Sequence, residues 1–272
     1  MSKRNKVVLP LLIIVVVLGW SALGPGNYVI ADAYWKINRT IKNMLTSTQD
    51  ASTLFDTANI VSLPQPQIDV TVSVEKALNN RRSRRQFKDE EISLEELSQI
   101  LWASYGITIP VADNPSLRGG LRTAPSAGAL YPLEIYIVVG KVRGIEPGVY
   151  KYLSQGHKIV RIANGDGKDG KEDVRSALSS AALGQEMIKD APVSLVYTAV
   201  PSRTTGRYGK RGQERYIFIE SGHSAENVYL QVEALGLGTC AIGAFSDVGI
   251  AEILKLPREE EPLYIMPIGR TP

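Results

Sequence analysis

Two strongly apolar runs, Ile135–Val139 and Val193–Val200, constrain the fold of this chain more than any other feature. Each run predicts a strand that is buried within a sheet. Shorter strand patterns on either side of Gln155-Gly156 predict a hairpin. The predicted strands are 135–139, 149–153, 158–162, 193–200, 238–242 and 263–268.

Helical patterns alternate with these strands. The clearest begins at a capping box, Ser93-Leu94-Glu95-Glu96, and extends to about Tyr105. Residues 201–213 are polar and predict a loop. The predicted helices cover about 73–82, 93–105, 171–190, 214–235 and 246–256. Because there is no regular βαβ repeat, the sequence predicts an α+β fold with helices packed around a mixed central β-sheet.

The N-terminus predicts a separate hydrophobic helix. Lys3, Arg4 and Lys6 precede a stretch without charge from Val7 to Ala31. This stretch is long enough for a membrane anchor, and the preceding positive charges favour a catalytic domain outside the cytoplasm. A cleaved signal peptide and a secreted protein are the alternative, since Ala31-Asp32-Ala33 has the small-x-small form of a cleavage site. The predicted organisation is an anchor or signal at 1–33, a linker at 34–67 and one folded domain at 68–272.

Composition argues against several classes of function. The net charge of the 272 residues is only +3, and basic residues are not concentrated over a whole domain, so nucleic acid is not expected as a partner. Cys240 is the single cysteine, and His157 and His223 are the only histidines. We therefore expect no metal site and no intrachain disulfide. Without a partner cysteine, Cys240 is expected to be an inert core residue.

Four arginines and a serine lie in five consecutive positions, Arg81-Arg82-Ser83-Arg84-Arg85, here called the arginine cluster. Guanidinium groups bind two oxygens at once, which suits a phosphate. A solvated basic surface or a nucleic-acid patch has the same composition. The run alone does not decide between these interpretations.

Two later segments favour the phosphate. One is Ala124–Pro132, the small-residue loop, and the other is Ala234–Gly243, the glycine-rich segment. In this order and spacing the three segments resemble the FMN-dependent nitroreductase family, and within it the SagB-type dehydrogenase branch, which includes azoline oxidases of peptide natural-product pathways. The resemblance covers roughly residues 73–270, and the branch pattern Pro-Ser-Ala-Gly-Ala-Leu-Tyr-Pro-Leu-Glu is present without departure at Pro125–Glu134.

The resemblance implies the nitroreductase fold and a set of FMN-binding residues. The arginine cluster would hold the phosphate and ribityl chain, the small-residue loop and the glycine-rich segment would contact the flavin ring, and a basic residue near the C-terminus would reach the phosphate. Arg84 lies where the family varies and is expected to be solvated or in an ion pair. The implied cofactor-binding residues are Arg81, Arg82, Ser83, Arg85, Pro125, Ser126, Ala127, Gly128, Ile242, Gly243 and Arg270.

Arg207 and Tyr208 are the candidate catalytic residues. Azoline-oxidising members carry Lys-Tyr at the corresponding place, where the pair assists proton removal. Arginine is a poor base near neutral pH, so Arg207 would orient an anion while Tyr208 relays a proton. The alternative is a solvent-exposed loop without a role in the reaction. This departure from Lys-Tyr places azoline oxidation, but not flavin chemistry, in doubt.

The resemblance therefore implies an FMN-dependent oxidoreductase that moves a hydride between flavin and a small or peptidic substrate. It also implies a homodimer with flavin at the subunit interface. No Gly-x-Gly-x-x-Gly opens a helix after a strand, so NAD(P)H is expected only as a transient hydride donor. The alternatives are an azoline dehydrogenase of peptide maturation, a non-catalytic flavin-binding scaffold at the membrane, and a basic protein that binds lipid phosphates.

Overall fold

The computed structural model describes residues 59–164 and 173–272. The hydrophobic helix predicted within 1–33, and all but the last residues of the predicted linker, lie outside these ranges. None of the helices within the described ranges has both the length and the apolar character needed to cross a membrane.

Helices and strands alternate irregularly along the chain. The strands are β1 (Ile60–Ser62), β2 (Ile107–Pro110), β3 (Gly120–Arg122), β4 (Leu133–Val139), β5 (Gly148–Leu153), β6 (Lys158–Asn164), β7 (Val193–Ala199), β8 (Leu237–Thr239) and β9 (Glu261–Arg270). The α-helices are α1 (Val74–Asn80), α2 (Leu94–Tyr105), α3 (Val174–Ala181), α4 (Met187–Asp190), α5 (Ser202–Tyr208), α6 (Ile217–Ala234) and α7 (Asp247–Leu254). Short 3₁₀ turns lie at Pro115–Leu117 and Ala127–Ala129, and a π-helical turn at Gly212–Tyr216 precedes α6.

Seven of the described strands form one sheet in the order β1-β6-β5-β4-β7-β9-β8, and β2 and β3 form a separate ribbon. All pairs of these strands are antiparallel. A parallel bridge joins Ser83 to Thr239 of β8 at one edge of the sheet. The predicted mixed character therefore comes from isolated bridges, and the bridge of Ser83 brings the arginine cluster to this edge.

Helices cover both faces of the sheet, which explains why its central strands are mostly apolar. Ile135 and Ile137 of β4 face one core with α2 and α6, whereas Tyr136 and Val138 face a second core with α3, α4 and α7. The α+β architecture is thereby confirmed. Ser93 forms the predicted capping box with Glu96 at the start of α2.

Several predicted elements differ from the structure. The helix predicted at 171–190 is divided into α3 and α4, because Leu183 and Gly184 have positive φ angles of 61° and 74°. The predicted polar loop at 201–213 is wrong, since residues 202–208 form helix α5. The strand predicted at 238–242 ends at Thr239. Strand β1 pairs with β6 although residues 60–62 fall in the predicted linker.

Candidate functional site

The arginine cluster and the glycine-rich segment lie side by side. Besides the bridge of Ser83 to Thr239, the backbone N–H of Arg84 donates to the Thr239 carbonyl at 2.9 Å. The Tyr229 hydroxyl of α6 lies 3.1 Å from the Ser83 hydroxyl and accepts from the Ala241 N–H at 2.8 Å. Two segments that are far apart in the sequence are thus joined through one buried tyrosine.

The guanidinium groups of the cluster have few carboxylate partners. Arg81 is half-buried, and its Nε lies 4.0 Å from Glu226. Arg82 is exposed and donates to two nearby backbone carbonyls at 3.0 and 2.7 Å. Arg85 is exposed, as is Ser83. This donor set, several guanidiniums with a hydroxyl at one edge, has the chemistry of a phosphate site. Arg84 instead packs its side chain against Gly238 and is half-buried.

Within the glycine-rich segment, the two predicted flavin contacts differ. Ile242 is 4% exposed, and its N–H and C=O both pair with Ile265, so this residue is committed to the core. Gly243 is exposed, and a Cβ built on it would meet only the Tyr264 ring, at 4.0 Å. Gly243 is therefore open on the side where a side chain would project. Cys240 is buried, and burial raises the pKa of its thiol, as expected for an inert core residue.

Arg270 is held by carboxylates. Its Nη2 donates to both oxygens of Glu96 at 2.9 and 3.1 Å, and its Nε lies 3.6 Å from Glu90. Its backbone carbonyl accepts from the Lys88 N–H at 2.8 Å. Arg270 therefore lies near the cluster in the chain trace, but its charge is already paired.

The small-residue loop turns sharply beside helix α5. Gly128 has a φ of 64°, and a Cβ at this position would lie 2.7 Å from the Tyr208 hydroxyl and 3.1 Å from Nη1 of Arg207. Both Pro125 and Gly128 are exposed, and Ala127 is half-buried. The structure thus brings the predicted catalytic pair against the predicted flavin-contacting loop. The positive φ favours glycine at this position, and a side chain there would have to displace the ends of Tyr208 and Arg207.

Helix α5 is fixed to the same loop by Arg203. Its guanidinium donates to the Tyr131 carbonyl at 3.1 Å and forms an ion pair with Glu134. Arg207 lies one turn further on and is exposed, whereas Tyr208 is half-buried with its ring edge-on to Tyr216 at 4.8 Å. These contacts explain why a short polar segment is helical, since tertiary contacts outweigh weak propensity.

Glu220 is a residue that sequence reasoning missed. It lies on α6, is 1% exposed, and accepts hydrogen bonds from the Ser126 hydroxyl at 2.6 Å and from the Tyr105 hydroxyl. Burial raises the pKa of this carboxyl to about 7, although both hydrogen bonds oppose the shift. The sequence did contain a signal for its burial. Glu220 lies three residues after Ile217 and one before Ser221, and this i, i+3, i+4 spacing places all three on one face of α6, which is buried.

Helix α6 contacts both groups of candidate residues. Glu220 binds Ser126, Asn227 donates to the Thr123 carbonyl at 3.3 Å, and Tyr229 binds Ser83. At a rise of about 1.5 Å per residue, Glu220 and Tyr229 lie roughly 13 Å apart along the helix axis. The small-residue loop therefore contacts α6 near its start, and the arginine cluster contacts it nearer its end.

Comparison with known proteins agrees with the fold. The model of the nitroreductase family matches residues 78–270, and the chain belongs to this family. A nitroreductase-like protein of Methanocaldococcus jannaschii is 47% identical over 199 residues, which cover 73% of this chain and 91% of that protein. The trifolitoxin-processing protein of Rhizobium leguminosarum bv. trifolii is 31% identical over 119 residues, which cover 43% of this chain and 30% of that protein.

Two solved structures have the same fold. A nitroreductase-like protein from Anabaena variabilis is 28% identical with a TM-score of 0.61, covering 73% of this chain but only 38% of its own. A second, from Ralstonia eutropha, is 26% identical with a TM-score of 0.61, covering 80% of this chain and 92% of its own.

Proposed function

We propose that the protein is an FMN-dependent oxidoreductase of SagB-type character, which moves a hydride between flavin and a small or peptidic substrate. The observation that carries the proposal is the packing of the arginine cluster against the glycine-rich segment, through Thr239 and Tyr229. In the proposal the guanidiniums and the hydroxyl bind the phosphate, and Gly243, where a Cβ would meet only the Tyr264 ring at 4.0 Å, leaves room for the flavin ring. Membership in the nitroreductase family supports the same cofactor.

In this proposal each group of residues has its own part. Arg81, Arg82 and Arg85 neutralise the phosphate, and the Ser83 hydroxyl donates beside them. The small-residue loop offers Pro125–Gly128 to the edge of the ring, and Gly243 leaves space on the other side. FMN, when bound, supplies the hydride chemistry at its ring nitrogen N5.

Arg270 and Ile242 contribute less directly. Arg270 would join the phosphate only by exchanging its partner Glu96 for the ligand. Ile242 would support the ring from the core, because its backbone groups are paired with Ile265. The cofactor site therefore depends mainly on the arginine cluster.

The substrate side of the site consists of Arg207 and Tyr208. The Tyr208 phenol lies against Gly128 and relays a proton to or from the substrate. Arg207 is exposed, and its guanidinium orients an anionic group of the substrate. NAD(P)H would serve as a transient hydride donor to the same flavin.

We further propose a homodimer. Helix α6 exposes Phe218 and Ile219 at 58% and 49%, and a Cβ built on Gly222 would meet no atom within 4 Å. An apolar helix face of this kind suits a second copy of the chain. Light scattering of the purified protein tests this, and a monomeric mass in the presence of FMN would contradict it.

A second candidate function is azoline oxidation in peptide maturation. The relationship to a trifolitoxin-processing protein favours it, although that match covers less than half of this chain. Arg207, in place of the lysine expected for this chemistry, opposes it. Oxidation of an azoline-containing peptide by the purified protein, beside the Arg207→Lys variant, would decide: activity gained only by the variant argues against this role for the natural chain.

Reduction and reoxidation of the bound flavin test the main proposal. The purified protein is expected to be yellow, to lose flavin absorbance on addition of NAD(P)H and to regain it with a nitroaromatic or quinone. If the flavin is retained but no donor or acceptor changes its absorbance, the protein is a flavin-binding scaffold. A colourless protein that takes up no FMN and binds anionic vesicles would favour the lipid-phosphate alternative.

A further inference from the structure

The buried carboxylate of Glu220 joins three parts of the fold. It projects from α6 at 1% exposure and receives hydroxyl donors from Tyr105, the last residue of α2, and from Ser126 in the small-residue loop. A buried carboxylate requires such donors, because an unpaired charge is strongly unfavourable in the core. The hydrogen bonds to Glu220 therefore hold both hydroxyl groups in place.

Ser126 connects Glu220 to the small-residue loop. Its hydroxyl accepts from the Tyr131 N–H at 2.9 Å, so its proton is directed to Glu220, and its carbonyl accepts from the Ala129 N–H at 3.0 Å. Ser126 thus closes residues 126–131 into one turn from both its side chain and its backbone.

The turn has an unfavourable backbone. Ala129 and Tyr131 have positive φ angles of 53° and 47°, in addition to Gly128 at 64°. Residues other than glycine occupy this region at a cost and do so only where surrounding contacts determine the conformation. The contacts that determine it here are the bonds of Ser126 to Glu220 and Tyr131, together with the bond of Arg203 to the Tyr131 carbonyl.

The conformation of the turn sets the position of Gly128 against Tyr208. We propose that Glu220 is a positioning residue: by accepting the Ser126 hydroxyl, its carboxylate fixes the small-residue loop in the conformation that places Gly128 against Tyr208. The effect of Glu220 on catalytic turnover rests on the proposed function, whereas its effect on the loop conformation does not.

The charge of Glu220 then controls the loop. A carboxylate accepts the Ser126 hydroxyl more strongly than a carboxylic acid does, because charge-assisted bonds are the stronger ones. The titratable and charged groups that face Glu220 are Tyr105, Tyr131, Arg122 and Arg203. Burial raises the pKa of each tyrosine above its ordinary value of 10 and brings the pKa of Glu220 to about 7, so among these three groups Glu220 is the one that changes charge between pH 6 and 8.

Hydrogen exchange of the loop amides tests the proposal on the purified full chain, with and without added FMN. Ser126→Ala removes the bond to the loop and keeps the Tyr105–Glu220 pair, and Glu220→Gln weakens the bond while keeping the volume. We expect residues 126–131 to exchange roughly tenfold faster in Ser126→Ala, and to a smaller extent in Glu220→Gln. Ser179→Ala is the matched control, since its buried hydroxyl donates to Gln185 in the other core.

The pH profile separates positioning from simple core filling. Protection of the loop in the natural chain, corrected for intrinsic exchange, is expected to fall as the pH decreases from 8 to 6, and to stay constant in Glu220→Gln. Unchanged loop exchange in both variants, or the same pH profile in both chains, would overturn the proposal. A loop that responds as expected in a protein that never takes up FMN would leave the positioning intact and refute the proposed function instead.

Discussion

Replacing Glu220 with glutamine is expected to change how the stability of the protein depends on pH. Burial raises the pKa of this carboxyl from an ordinary value of 4.5 to about 7. Between these values the unfolded chain has lost the proton and the folded chain keeps it, so stability decreases as the pH rises. At about 1.4 kcal/mol per pKa unit, this shift corresponds to a loss of about 3 kcal/mol by pH 7.

The Glu220→Gln variant lacks this loss because its side chain does not ionise. The difference in the free energy of unfolding between variant and natural chain should therefore move by about 3 kcal/mol in favour of the variant between pH 4.5 and pH 8. Urea unfolding followed by circular dichroism at several pH values measures it. Glu226→Gln, an exposed carboxyl on the same helix, is the control. A difference that is independent of pH would refute the reasoning.

Three further variants test other parts of the account. Tyr229→Phe leaves the Ala241 N–H without its partner and releases Ser83, so FMN should bind roughly tenfold more weakly in a fluorescence titration; unchanged affinity would contradict the link. Tyr208→Phe should slow turnover of a nitroaromatic or quinone while FMN content stays the same, and joint loss of FMN would mean that Tyr208 supports the cofactor instead. The full chain should sediment with membranes and a chain lacking residues 1–33 should not; full-length protein with Met1 intact in the supernatant would exclude both the anchor and the signal peptide.

The central strands could be predicted because burial on both faces leaves runs that are mostly apolar, as at 135–139 and 193–199. The start of α2 could be predicted because Ser93 and Glu96 cap it locally. Strand β1 and helix α5 could not, since each depends on distant partners: β1 pairs with β6, and α5 is held by Arg203 on Glu134 and the Tyr131 carbonyl.

The candidate site was predictable as separate motifs but not as an arrangement. The arginines are compatible with a phosphate through their side-chain chemistry, and the small-residue loop and the glycine-rich segment favour it through their resemblance to the family. That Tyr229 joins Ser83 to the glycine-rich segment, and that Gly128 meets Tyr208, depends on tertiary packing. Arg270 is an example of a contact that the sequence does not predict, because no pattern near Arg270 or Glu96 indicates that the two residues form an ion pair.

The FMN content of an Arg81→Ala, Ser83→Ala double variant tests the central claim most directly. Each charge-assisted bond to a phosphate contributes about 1.5–3 kcal/mol, so the variant should fold but release FMN during purification. Arg143→Ala, which removes a surface guanidinium paired with Glu91, should keep stoichiometric FMN like the natural chain. A colourless, folded double variant beside a yellow control is the predicted result, and stoichiometric FMN in the double variant would contradict the assignment of the arginine cluster.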